Sequence, residues 1–241
     1  MLPLDDVVVL PHMTVTLGVE GEEQRAALEA ARKGNHLVLL VPRLEGRFAT
    51  VGTVASLGES GSLPDGSDVQ IVKGEHRGRL GVGQADVGGA LFVQAQPVRD
   101  PDPASEEAQR LGREYRALLE NLLEARDARQ VVQFLRTART PGHLADLAGY
   151  SPDLSLAQKL QVLETIDLEE RLRLLIGWTR EILAEASLKA TIRREVNEGM
   201  EKAQREFLLR QQLETIKKQL GEGGGDAVST YRERVLGADM P

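Results

Sequence analysis

Catalytic chemistry in this chain of 241 residues would have to come from four histidines, a few glycine clusters, one serine–lysine pair or its many carboxylates. His12, His36, His76 and His143 are scattered, and none has a second ligand at metal-binding spacing. There is no cysteine, which excludes disulfides and thiolate nucleophiles. Gly78, Gly81 and Gly83 fail the dinucleotide fingerprint, because Asp86 and Val87 follow where a third glycine belongs; they read as sites of tight strand packing. Neither a GxxxxGK[ST] phosphate loop nor a GxSxG nucleophile elbow occurs. Ser155 and Lys159 stand one helical turn apart, as in a Ser–Lys pair, but Gln158 three residues after Ser155 spells a helix cap and leaves Lys159 as a solvated lysine. The carboxylates sit in helical stretches with partners four residues away, the pattern of a solvated face. The expectation is therefore no catalytic residue, no metal and no cofactor in this chain.

The elements that would position a site change character along the chain. Residues 1–98 are rich in Val, Gly and short apolar runs, and residues 105–220 in Leu, Ala, Glu, Arg and Gln. Between them three prolines fall within residues 97–103, which neither a helix nor a central strand tolerates, so residues 99–104 read as a linker. Strands are expected at 7–10, 13–17, 37–41, 48–57, 69–73, 77–84 and 90–98, with Pro64 to Ser67 supplying turn chemistry and Gly74 a break. A helix at 22–33 has acids first, Arg32 and Lys33 last and Gly34 as its stop. Several short strands with one helix suggest a compact, barrel-like α+β domain.

From Ser105 the periodicity is helical. Ala108, Leu111, Tyr115, Leu118 and Leu122 form one face behind a Ser105 cap. Val131, Val132, Phe134 and Leu135 mark a short helix stopped near Pro141-Gly142, and Leu144, Leu147 and Ala148 a third, stopped at Gly149 and Pro152. The capping box at Ser155 opens a fourth, burying Leu156, Leu160 and Leu163. Asp167 with Glu170 repeats the signature, and no breaker follows until Gly221. The result is one helix of about 50 residues, or 75–80 Å at 1.5 Å per residue. Its first part, with Leu168, Leu172, Leu175 and Ile176, belongs to a bundle over 105–186. Beyond it, over 187–220, the apolar set thins to a narrow seam suited to a coiled-coil or two-helix contact, with Gly199 as a candidate bend. Residues 221–225 read as a glycine-rich linker, opening a connecting segment that runs to Pro241.

Net charge is −7 with no basic block, which disfavours nucleic acid as the main partner. No apolar run reaches the roughly 20 residues needed to span a bilayer, and residues 1–10 lack the pattern of a secretory signal, so a cytoplasmic location is expected.

Three stretches carry a resemblance. Residues 3–13, PLDDVVVLPHM, are similar to the PLRDVVVFPHM opening of the Lon protease family. Residues 51–55, 63–67 and 72–77 (VGTVA, LPDGS, VKGEHR) resemble that family's VGTVA, LPDGT and VEGxxR run. Residues 204–213 and 216–222, QREFLLRQQL and IKKQLGE, resemble its QREYYLREQLKAIQKELGE segment, at the end of a long helix before an ATPase module. The chain departs at Gly46-Arg47-Phe48, where the family has DLY, at Phe207 and Leu208, where it has tyrosines, and over 86–140, which matches poorly. The resemblance implies an N-terminal PUA-like β-barrel domain over 1–98, a helical bundle ending in a very long helix, and a chain truncated before the ATPase. It also implies a homohexameric, ATP-dependent AAA+ serine protease as the complete protein, with ATP and Mg bound only by the absent module.

On that reading the segment captures unfolded, damaged or degron-bearing proteins for the ATPase-protease, through a shallow apolar surface. The candidate contacts are apolar residues near turns: Leu10, Pro11, Met13, Leu44, Phe48, Leu63 and Pro64. Ile192, Val196, Met200, Phe207, Leu208 and Leu209 are candidate contacts between subunits along the stalk. A stand-alone substrate-binding-domain protein and a coiled-coil scaffold are the alternatives.

Overall fold

The computed structural model describes residues 1–19, 21–62, 64, 67–85, 89–219 and 225–237. The chain divides into two compact units, Met1–Ser187 and Leu188–Pro241.

The first unit opens with β1 (Leu2–Leu4), β2 (Thr14–Gly18), α1 (Glu22–Lys33), β3 (Leu37–Leu44), β4 (Arg47–Phe48), β5 (Val51–Ser62), β6 (Asp68–Ala85) and β7 (Leu91–Val98). These strands make one sheet in the order β1-β3-β5-β6-β2, with β4 on β3 and β7 on β6. β1 runs parallel to β3, and every other pairing is antiparallel. The apolar run of β3 buries residues 38–42, as a strand covered on both faces must.

Two strand expectations are corrected. Residues 7–10 form no strand, although Val8, Val9 and Leu10 are buried. Side chains rather than a ladder satisfy part of this backbone: Thr53 Oγ1 donates to the Val9 carbonyl at 2.6 Å, and the Leu10 amide donates to Met13 Sδ at 3.2 Å. Gly74 does not end a strand either. β6 continues through it, with an extra residue, Glu75, where Val54 pairs His76 and Ala55 pairs Gly74. A Cβ at Gly74 would stand 2.5 Å from the Leu10 carbonyl oxygen, so glycine lets the buried 7–13 segment lie against the strand.

After the proline-rich join come α2 (Glu106–Ala125), a 3-10 turn (Arg129–Val131), α3 (Val132–Leu135), α4 (Pro141–Asp146), a second 3-10 turn (Leu147–Tyr150), α5 (Leu156–Glu164) and α6 (Leu168–Gln219). Ser105 Oγ accepts the Ala108 amide, and the capping box at Ser155 and Gln158 is complete. The Asp167 carboxylate accepts the Glu170 amide at 2.8 Å, starting α6. Pro141 and Gly142 open a helix rather than stop one: Thr140 caps α4, and proline takes its first turn, where no amide partner is needed.

The core does not divide at the join. One buried cluster contains Leu10, Met13, Val51 and Val72 from the sheet segment together with Leu111, Leu144, Leu163, Leu172 and Leu175 from the helices. A smaller cluster of Leu39, Val41 and Ala49 lies apart from it. Two ion pairs fix this arrangement. Arg77 on β6 is bidentate to Asp146 of α4 at 2.7 and 3.2 Å and also donates to the Leu163 and Val162 carbonyls at the end of α5. Both side chains are buried, at 3% and 1% exposure. Arg171 of α6, fully buried, holds Asp100 of the join at 2.6 Å. Removing one partner of the fully buried Arg77–Asp146 pair costs roughly 3–5 kcal/mol, because the other charge is left without solvent or a counter-ion.

The second unit contains α6 from Leu188 onward, helical through Gly199, and α7 (Gly225–Gly237). Of the expected glycine-rich linker, Gly225 is the first residue of α7, and 221–224 lie outside the described residues.

Candidate functional site

The sequence-derived contact residues do not form one surface. Leu10, Pro11 and Met13 are buried and therefore are not exposed contacts. They build the turn around His12, whose φ is 65° and whose amide donates to the Gly74 carbonyl at 2.9 Å. Apolar residues beside a turn look alike in sequence whether the turn faces the core or water. Leu44 is half-buried and Pro64 exposed, and Leu63 lies outside the described residues.

Phe48 is exposed at 46%. It sits where β3 turns into β4 through Glu45 and Gly46, both at positive φ, the conformation of a tight two-residue hairpin. Arg43 pairs with Asp5 at 2.6 Å and lies 5.7 Å from the centroid of the Phe48 ring, presenting an aromatic group beside a guanidinium.

Exposed apolar side chains that sequence reasoning missed are Leu37, Val82 and Phe92 on the sheet and Val131, Phe134 and Tyr150 on the helical segment. Phe92 was readable: along β7, Leu91, Val93 and Ala95 are partly buried while Phe92, Gln94 and Gln96 face out, so a strict alternation marks it as the apolar member of a polar face. Val82, 81% exposed, stands in a bulge where β6 has Gly81 and Val82 opposite Gln94 alone, which no local pattern announces. Phe134 meets Tyr150 edge to face at 5.4 Å, and the Tyr150 hydroxyl accepts the Thr14 amide at 2.8 Å, tying the helical segment to β2.

Between sheet and helices lies a groove of about 990 Å³. Its walls are His12, Glu75 and His76 from the sheet side, Arg99 to Pro103 of the join, Arg113 and Arg116 of α2, and Arg139 to His143 entering α4. The His12 and His143 rings lie 4.4 Å apart between centroids, tilted by 36°. Burial, and then the neighbouring His12, hold the His143 imidazole below its ordinary value, while Asp146 opposes them. Arg116 donates to the Leu135 and Ala138 carbonyls at 2.7 and 2.8 Å. Among the described residues no group of three His, Cys, Asp or Glu could hold a metal ion, and no helix is long and apolar enough to cross a membrane. The Ser155 hydroxyl accepts the Gln158 amide as a helix cap.

The stalk candidates are all exposed among the described residues, from Ile192 at 51% to Met200 at 66%. At about 100° per residue, Ile192, Val196, Met200 and Phe207 share one face, Leu209 falls with Leu213 and Ile216 on another, and Leu208 lies between. One straight seam does not take all six.

Residues 1–181 match the family model described as the ATP-dependent protease La (LON) substrate-binding domain. The chain belongs to the Lon substrate-binding domain family. Over its whole length it is 45% identical to the Lon protease of Salinispora arenicola (strain CNS-205) and 44% identical to that of Mycolicibacterium smegmatis, spanning 31% of the length of each. The solved N-terminal domain of Mycobacterium avium complex Lon protease superposes with a TM-score of 0.69 at 37% identity, over 74% of this chain and 96% of that one. A Lon N-terminal domain protein from Xanthomonas campestris, at 21% identity and a TM-score of 0.54, shares the fold. The Lon match ends inside α6, near Ser187 where the first compact unit ends, so the groove and the exposed sheet residues fall within it.

Proposed function

We propose that this chain is the substrate-recognition and tethering region of an ATP-dependent Lon protease, holding unfolded, damaged or degron-bearing proteins for a hexameric ATPase-protease. One observation carries the reading: the stretch matched by a substrate-binding domain is the compact unit that leaves Phe48, Phe92 and Val82 in water. Exposed aromatic and aliphatic groups on a rigid sheet bind extended apolar segments of many sequences, each weakly, because little beyond apolar area is required. Several copies in one assembly raise the overall affinity by effective concentration. Phe48, Leu44, Leu63 and Pro64 remain the proposed contacts, joined by Phe92 and Val82, while Leu10, Pro11 and Met13 are buried. Catalysis, ATP and Mg belong to the ATPase and protease parts, and in this reading the chain contributes binding only.

The test is a titration of the chain with a permanently unfolded protein and with its folded form. The unfolded form is expected to bind, and a Phe48→Ser/Phe92→Ser variant to bind several-fold more weakly. Equal, negligible binding of both forms removes substrate capture.

The second reading, assembly through the stalk, is favoured by the exposed apolar residues from Leu188 to Ile216. It places Ile192, Val196, Met200 and Phe207 against one neighbouring subunit and Leu209 toward another. Sedimentation of the chain showing monomer at all concentrations removes it.

A further inference from the structure

The groove between the sheet and α2–α4 contains charge that the fold does not use. Arg99, Arg113 and Arg139 line it and are exposed, and among the described residues none of them makes an ion pair or hydrogen bond. Two of the four acids in the lining are paired within the fold. Asp146 is saturated by Arg77 and Asp100 is held by Arg171, while Glu75, which accepts the Ser56 hydroxyl at 2.8 Å, and Asp102 have no cationic partner among the described residues. Three guanidinium groups against two carboxylates without a cationic partner leave this concavity with a positive excess, in a chain of net charge −7. A guanidinium matches a carboxylate through two parallel hydrogen bonds, and a partly enclosed groove strengthens that pairing over its value in open water.

We propose that this groove is a binding site for acidic peptide segments, in which Arg99, Arg113 and Arg139 receive Asp and Glu side chains of a captured protein. The walls favour a peptide over a nucleic acid. Leu37 and Val98 give the groove apolar surface for the residues between the acids, and Glu75 and Asp102 interrupt the positive field that a continuous polyanion needs. The site rests on the reading of this chain as a capturing region and names a class of segment it takes: mixed apolar and acidic stretches. It is separate from the apolar contacts at Phe48 and Phe92.

The experiment is fluorescence anisotropy of the full chain with a labelled peptide alternating Asp or Glu with Leu or Val, and with the same peptide carrying Asn and Gln. The acidic peptide is expected to bind at least tenfold more tightly, with affinity falling as salt rises. An R99Q/R113Q/R139Q variant should lose that tenfold and keep its affinity for an unfolded protein poor in acids. An R193Q/R194Q/K202Q variant, altering the same charge on the distal helix, should lose nothing. Photo-crosslinking of the acidic peptide to the unaltered chain should label residues 99–103, 113 and 139–143, whether or not the variant folds. Equal affinity for the two peptides, or crosslinks elsewhere, overturns the proposal. A single-stranded oligonucleotide that displaces the acidic peptide at equal charge overturns it in favour of nucleic acid. Loss of unfolded-protein binding in the unaltered chain would instead count against the capturing region as a whole.

Discussion

The two ends of α6 have the same secondary structure and similar residue types, yet opposite surroundings. Leu168, Leu172, Leu175 and Ile176 are buried with residues of α2, α4 and the sheet segment, whereas Leu188, Ile192, Val196 and Met200 are more than half exposed. Helix formation and burial are therefore separate questions. The first is answered locally by the Asp167 cap and by a long run free of proline. The second depends on what the rest of the chain brings to that face. In the first unit the answer is a single body: a buried ion pair reaches from β6 to α4, a partly buried one from the join to α6, and the core runs through both segments.

That contrast can be broken by mutation. The largest effect is expected at Asp146→Ala, which leaves the Arg77 guanidinium buried without its counter-ion. Loss of roughly 3–5 kcal/mol should appear in denaturant unfolding, with sheet and helix signals falling together in one transition. Separate transitions for strand and helix probes would show that the two segments are independent domains. Leu172→Ala should cost roughly 2–5 kcal/mol, while Ile192→Ala on the distal part of the same helix should stay within about 0.5 kcal/mol. Ser155→Ala, which removes the cap of α5, should cost about 1 kcal/mol.

A smaller effect follows pH. Burial and His12 hold the His143 imidazole below its ordinary value, so the unfolded chain takes up this proton first on acidification. Stability from this group is full above the ordinary value of 6.5, declines as pH falls below it, and levels off once the folded imidazole is also charged. Melting temperatures between pH 7.5 and 5 should therefore fall less steeply in His143→Asn than in the unaltered chain.

What the sequence made legible was local. The bounds of α1, the Ser105 cap, the capping box of α5 and the cap and length of α6 all follow from residues within a few positions of one another. The misses were long-range. Residues 7–10 have strand-forming side chains but spend their burial in an irregular segment against Thr53 and Gly74. Gly142 read as a stop but lies inside α4, where a Cβ would collide with the Asp100 carboxylate; Gly149 does stand at the end of its helical run, and a Cβ there would collide with Met13 Sδ, a contact made by the far segment of the unit. The ion pairs join residues 69 and 71 positions apart, which spacing does not announce. Of the candidate contacts, Phe48 and Pro64 stayed exposed and Leu10, Pro11 and Met13 did not, because exposure is decided by the packing of the α2–α6 segment on the sheet.

The central claim is that capture resides on the compact unit rather than on the distal helix. Hydrogen exchange of the whole chain, with and without a saturating unfolded protein, tests it directly. Added protection is expected within residues 1–187, at the β3–β4 hairpin around Phe48 and along β7, with exchange over 188–219 unchanged. Protection gained over 188–219 alone would contradict the account.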